Sequence, residues 1–102
     1  MAEVHALVIE CGRREGDDLP LRAIGARVVC YALGADVEEA TAAASAVVRE
    51  AGMAPQTIVA HGTMAERRAR GEITASELLL MERVSRTGRV VIAELTPLYE
   101  KS

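Results

Sequence analysis

The chain has 102 residues, half of them hydrophobic, which suits one domain with a single core and excludes an intrinsically disordered protein. A net charge of −3 argues against a nucleic-acid binder and offers no basic surface to a membrane. No apolar run approaches the roughly 20 residues of a transmembrane helix, and no signal-peptide pattern opens the chain, so we expect one cytoplasmic domain over residues 1–102.

Two apolar segments at the start of the chain read as strands. Residues 4–11 alternate with period two, but both sides are apolar, with Leu7 on one side and Val8 on the other. Such a strand is typical of the centre of a sheet or of a sheet covered on each face. Residues 26–33 follow the same pattern, with β-branched and aromatic enrichment.

The connection over residues 12–25 is longer than an ordinary hairpin loop and rich in charge. Long connections in small domains are often functional or mobile, and an extended hairpin tip or a flexible loop of balanced charge is the simpler alternative. Two further strands are predicted over residues 57–61 and 89–95, and Pro97 closes the last of them because proline has no N–H for a ladder.

Helix boundaries are marked by capping residues. Asp36 begins a helix that ends at Gly52, and Thr74 begins a second that ends at Gly88. In each, a Glu three residues after the cap completes a capping-box pattern. Thr63 begins a shorter helix ending at Gly71.

The order β-β-α-β-α-β predicts an α+β domain, with a four-stranded mixed or antiparallel sheet and two main helices on one face. The one-face arrangement follows from applying right-handed crossovers to both helical connections. The layers are ferredoxin-like, but two strands before the first helix are unusual for that fold. The sequence indicates no particular family.

The two cysteines are predicted to be buried thiols. In a simple hairpin around residues 12–25, Cys11 lies opposite Ala26 and Cys30 opposite Leu7, so the sulfurs are not paired. Their spacing is not that of a zinc site either, and we expect neither a metal nor a cofactor.

The strand end at His61 is the leading candidate for a site. His61 lies where sheets often place ligands, and its pKa can be near neutral. Gly62 and Thr63 lead into a helix N-terminus, which exposes N–H groups to an anion, and Arg67 lies nearby. A structural histidine and an ordinary turn explain the same residues.

Glu10 and Glu94 are carboxylates in otherwise apolar strands. If the first and last strands were neighbours, the two would face each other as an acid–base pair. Placement at strand ends or pairing with arginines is the simpler alternative, because unpaired buried carboxylates are costly.

The second main helix carries more apolar residues than one buried stripe requires. Residues 78–81 are all apolar and point about 100° apart around the helix. We expect Leu78, Leu79 or Met81 to contact something other than the domain's own core. The short helix or the C-terminal tail covers the excess in the alternative interpretation.

Two functional hypotheses remain open. The first is a non-enzymatic interaction or regulatory module, of the immunity or adaptor kind, that binds a second copy of itself, with another protein as the further partner considered. The second is a small enzyme or ligand-binding domain around His61, Glu10 and Glu94. We favour the first, because every candidate catalytic residue has a simpler structural role.

Overall fold

The computed structural model describes residues 2–100, and within them the chain forms four strands and three helices. In chain order these are β1 (Glu3–Gly12), β2 (Gly25–Gly34), α1 (Val37–Glu50), β3 (Ala54–Thr63), α2 (Met64–Ala69), α3 (Ala75–Thr87) and β4 (Val91–Leu98). The strands form one antiparallel sheet in the order β3-β1-β2-β4. The predicted α+β class with a four-stranded sheet is confirmed for the described residues.

The central pair, β1 and β2, has the hairpin register predicted from the sequence. Cys11 pairs with Ala26 and Leu7 with Cys30. Because side chains alternate along a strand, this register gives each face of the pair its own apolar row. Leu7 and Ile9 lie on one face, and Ala6 lies on the opposite one.

Each face of the sheet has its own hydrophobic core. On the first, α1 contributes Ala40, Ala44 and Val48, spaced four residues apart so that they form one stripe. On the second, α3 contributes Met81 and Val84. The two main helices therefore lie on opposite faces, which corrects the expectation that both occupy one face.

The strand directions explain this arrangement. β2 and β3 both run antiparallel to β1, so α1 connects two parallel strands, where the crossover rule applies. β4 is antiparallel to β2 and therefore to β3, so the connection through α2 and α3 is outside that rule. The connection through α2 and α3 crosses the opposite face of the sheet. There it shields the apolar row of Val4, Ala6 and Tyr31 from water.

The predicted caps define the helix starts. The carboxylate of Asp36 accepts from the N–H of Glu39 at 2.8 Å, and Thr74 and Glu77 form a complete capping box on α3. At the start of α1 the backbone lies so close to Gly34 that a Cβ there would lie 2.5 Å from the N of Ala40. Only glycine allows this approach between helix and strand.

The apolar run of α3 is mostly used within the domain. Met81 is fully buried, Leu80 packs against the second core, and Leu78 is half-buried. Met81 is thus unavailable to a partner, contrary to expectation, because the helix turns it onto the sheet. Leu79 alone of this run is mostly exposed, at 68%.

Within residues 2–100, no helix is both long and apolar enough to cross a membrane.

The different positions of these α3 residues lead to a stability prediction. Met81→Ala leaves a cavity in the second core and should lower the free energy of unfolding by about 2–5 kcal/mol. Leu79→Ala removes an exposed side chain and should change it by less than about 0.5 kcal/mol. Urea denaturation followed by circular dichroism measures both. Equal effects would contradict the described packing of α3.

Candidate functional site

A cavity of about 580 Å³ lies between the second face of the sheet and the helices α2 and α3. We call it the α2–α3 cavity. Its floor comes from all four described strands and consists of small apolar side chains: Ala6, Val8, Val29, Ala60 and Ala93. Its walls carry polar groups from the two helices, including the side chains of Arg67, Arg70 and Glu77.

Cross-strand pairing produces the floor. Val8 pairs with Ala60 on β3 and with Val29 on β2, and Val29 pairs with Glu94 on β4. These residues form one row across the sheet, with Glu94 at its β4 end. The next row holds Glu10 and Arg27, whose charges require water, so the helices cover only the apolar end of this face.

A network of polar side chains closes the covered side of the cavity. Arg67 Nη2 lies 3.0 Å from Glu77 Oε2, and the same oxygen accepts from the Tyr31 hydroxyl at 3.3 Å. Arg67 also donates to the carbonyl oxygen of Glu72 at 3.2 Å, and Thr74 donates to Glu77 Oε1 at 3.1 Å. The network joins α2, α3 and β2. The Glu77 carboxylate, which forms the capping box at the start of α3, also binds Arg67 and Tyr31.

The pKa values of this network follow from its contacts. Burial raises the pKa of the Glu77 carboxyl, but hydrogen bonds from Thr74 and the charge of Arg67 outweigh burial, so the pKa is lowered. Burial, followed by the nearby charge of Glu77, raises the pKa of Tyr31. Tyr31 therefore stays protonated at neutral pH and acts as a hydrogen-bond donor, not as a base.

The structure brings several of the predicted ligand-binding residues together. His61, Gly62 and Arg67 all line the α2–α3 cavity. Thr63 instead caps α2, its hydroxyl accepting from the N–H of Glu66 at 3.1 Å. His61 is exposed, and its pairing with Leu7 places it towards the α1 side, where it also borders a more open groove between α1 and β3.

Glu10 and Glu94 do not form the acid–base pair considered from the sequence. β2 lies between their strands, so the premise that the first and last strands are neighbours is wrong. Glu10 pairs with Arg27 at 3.4 Å, the simpler alternative. Glu94 lines the cavity, and among the described residues it takes part in no ion pair.

Three further titratable side chains, His5, Cys11 and Cys30, are buried in the domain. His5 is buried, and its Nε2 lies 3.2 Å from the carbonyl oxygen of Gly34, where the ring N–H donates. Burial raises the pKa of Cys11, and burial together with Cys11 raises that of Cys30 to about 11. Both thiols are free and unreactive at neutral pH. Within residues 2–100, no three His, Cys, Asp or Glu side chains converge as metal ligands.

A second surface escaped the sequence analysis. Among the described residues, six large apolar side chains are exposed, and four of them come from the loop before β2 or from β4 and the residue after it. We call these four the β4 corner: Leu21 (94% exposed), Ile24 (54%), Leu95 (41%) and Tyr99 (54%). The N–H of Ile24 donates to Leu98 O at 2.7 Å, which joins the loop to the strand. The sequence signal that could have indicated this surface is the presence of Leu21 and Ile24 in the otherwise charged connection over residues 12–25.

Arg13 holds the loop that presents this corner. Its guanidinium forms two bonds with the Asp17 carboxylate, at 2.7 and 3.2 Å. It also donates to four carbonyl oxygens, those of Leu19, Pro20, Leu21 and Ala23. The hydrogen bonds from Arg13 come first among the influences that lower the pKa of Asp17. The connection is an ordered loop in which Leu21 is held outward.

The fold and these two surfaces define a small α+β domain with an open cavity on one face and an apolar corner at its edge. The chain belongs to the family described as "Domain of unknown function (DUF8846)", whose model matches residues 4–99. No curated protein and no solved structure matches the chain.

The lowered pKa of Glu77 gives a pH-dependent prediction. Its ionised form is favoured by folding, so the stabilisation is full above the ordinary carboxyl pKa of 4.5 and is lost as the pH falls through the lowered value. Glu77→Gln should therefore be less stable than the native chain at pH 7, with the difference vanishing at low pH. Urea denaturation across pH 2–8 measures the difference. Glu66→Gln, which alters the cap of α2, is the control, and an equal pH-dependent loss there would contradict the assignment.

The role of Arg13 can be tested through loop order. Arg13→Lys keeps the charge but removes the planar fork that reaches several acceptors at once. Amide hydrogen exchange in residues 14–24 should become faster, while exchange in β1 and β2 stays slow. Arg14→Lys is the matched control, and unchanged loop exchange in Arg13→Lys would show that the guanidinium does not order the loop.

Proposed function

We propose that this domain is a self-associating interaction module, and that a second copy binds along β4 and the β4 corner. The observation that carries the proposal is the concentration of exposed apolar side chains at this corner, beside an unpaired strand edge. Clustered exposed apolar residues are typical of interaction surfaces, whereas isolated ones are not informative.

The edge of β4 is open to strand pairing. β4 is the last strand of the described sheet, so one side of its backbone carries free N–H and C=O groups. Over Val91–Leu98 it holds a single charged residue, Glu94, and a single proline, Pro97, near its end. Natural edge strands usually carry more protection than this against pairing.

The apolar side of β4 continues the corner. Ile92 packs at the margin of the first core, and Leu95 pairs with Val28 of that core. Because α1 packs mainly on β1, β2 and β3, this side of β4 is left partly uncovered. The apolar stripe runs from half-buried Ile92 through Leu95 to Tyr99, and the last two are exposed.

A second copy is the occupant that fits these features. Identical edge strands pair antiparallel about a two-fold axis, so each copy satisfies the free backbone groups of the other. The apolar stripes then lie side by side across one continuous sheet. The opposite edge, β3, is less suitable because two register shifts interrupt its ladder with β1, against one in the ladder of β4 with β2.

We also propose that the module acts in the cytoplasm. Cys11 and Cys30 are both free thiols in the first core, a state that a reducing compartment maintains.

Self-association is tested by sedimentation equilibrium of the full chain and of three lysine variants. The native chain should approach twice the mass of one chain as concentration rises. Leu95→Lys places a charge on the edge strand, and Leu21→Lys places one at the most exposed leucine of the loop. Each should weaken dimerisation by at least about tenfold.

Leu79→Lys is the matched control, since it alters an exposed leucine on α3, and it should dimerise like the native chain. A native chain that stays monomeric at high concentration would overturn the proposal. Dissociation by Leu79→Lys but not by Leu21→Lys or Leu95→Lys would move the interface from β4 to α3. Retained circular dichroism spectra separate loss of association from loss of fold.

A further inference from the structure

We propose that the α2–α3 cavity binds a small amphipathic cation, namely an aliphatic primary amine. Its ammonium group contacts Glu94 and its hydrocarbon chain lies along the row of small apolar side chains. This site is on the opposite face of the sheet from the α1 core and does not depend on self-association.

The dimensions of the cavity suit a small molecule. Its volume of about 580 Å³ lies within the range usual for such sites. The floor crosses four described strands, and three strand spacings amount to about 14 Å, the length of a short extended chain. Since Ala6, Val8, Val29 and Ala60 present only methyl and isopropyl groups, the floor contacts a hydrocarbon without competing for polar groups.

The charges around the cavity select a cation. Four glutamates and two arginines line it, so its walls are acidic by two charges when His61 is neutral. Arg67 is held by Glu77 and by the carbonyl of Glu72, and is not free to receive an anion. Arg70 takes part in no ion pair among the described residues, so three unpaired glutamates, Glu66, Glu72 and Glu94, line the cavity against one unpaired arginine.

Of the cavity glutamates without an ion pair among the described residues, which are Glu66, Glu72 and Glu94, only Glu94 lies on a strand of the floor. It is exposed, it pairs through its backbone with Val29 of the floor, and it takes part in no ion pair among the described residues. It also ends the apolar row, so an ammonium group on Glu94 allows the attached chain to lie across Val29, Val8 and Ala60. One extended ligand can thus make a charged hydrogen bond to Glu94 and apolar contacts along the adjoining row.

The test is a titration of the ¹⁵N-labelled full chain with hexylamine, with hexanoate and hexanol as probes of charge. Hexylamine should give saturable shift changes at the amides of Val8, Val29 and Ala60. Hexanoate should give none, and hexanol should bind more weakly than the amine. No saturable change with hexylamine, or equal binding of hexanoate, would overturn the proposal.

A pair of variants locates the ammonium group. Glu94→Gln should weaken hexylamine binding by at least about tenfold, because it replaces a charged hydrogen bond with a neutral one. Glu10→Gln is the matched control, since Glu10 is a carboxylate on the same face, one row away, and pairs with Arg27. It should bind like the native chain. Equal weakening in both variants would show only a general attraction to an acidic protein, and would overturn the site.

Discussion

The antiparallel pairing of β1 with β2 is the constraint on which the rest of this structure depends. Both strands are apolar on both sides, so their register creates two apolar faces back to back. Water must be excluded from each, and one helix cannot cover both. The chain therefore places α1 on one face and the α2–α3 segment on the other, which makes a three-layer domain from 102 residues.

The two proposed surfaces exist because the helices cover each face of the sheet only in part. On the second face, α2 and α3 lie over the apolar end and stop before the row of Glu10 and Arg27, leaving the α2–α3 cavity between them and the open sheet. On the first face, α1 spans β1, β2 and β3, and β4 remains at the margin with its backbone edge free. A domain of this size has too few residues to cover four strands fully on both sides.

Many individual residues of the candidate site could be predicted from the sequence, but the fact that they line one cavity could not. His61, Gly62, Arg67 and Glu94 were all singled out from the sequence, and they line one cavity. Tyr31 and Glu77 were seen only as a strand residue and a helix cap, because their contact joins positions 46 residues apart. The β4 corner escaped for the same reason, since its residues come from two distant segments that meet only through the hairpin.

The sequence alone determined the local structure. Period-two apolar patterns and the caps at Asp36, Thr63 and Thr74 located the strands and helices, although β4 continues through Pro97 to Leu98 where the sequence predicted its end before the proline. The short-range geometry of the hairpin set the pairing of Cys11 with Ala26 and of Cys30 with Leu7. Apolarity on both sides of β1 also indicated cover on each face. Only the tertiary structure decided which helix covers which face and that Met81 is buried while Leu79 is exposed. Those outcomes depend on strand order and direction, which arise from contacts between residues far apart in the chain, and no local pattern encodes them.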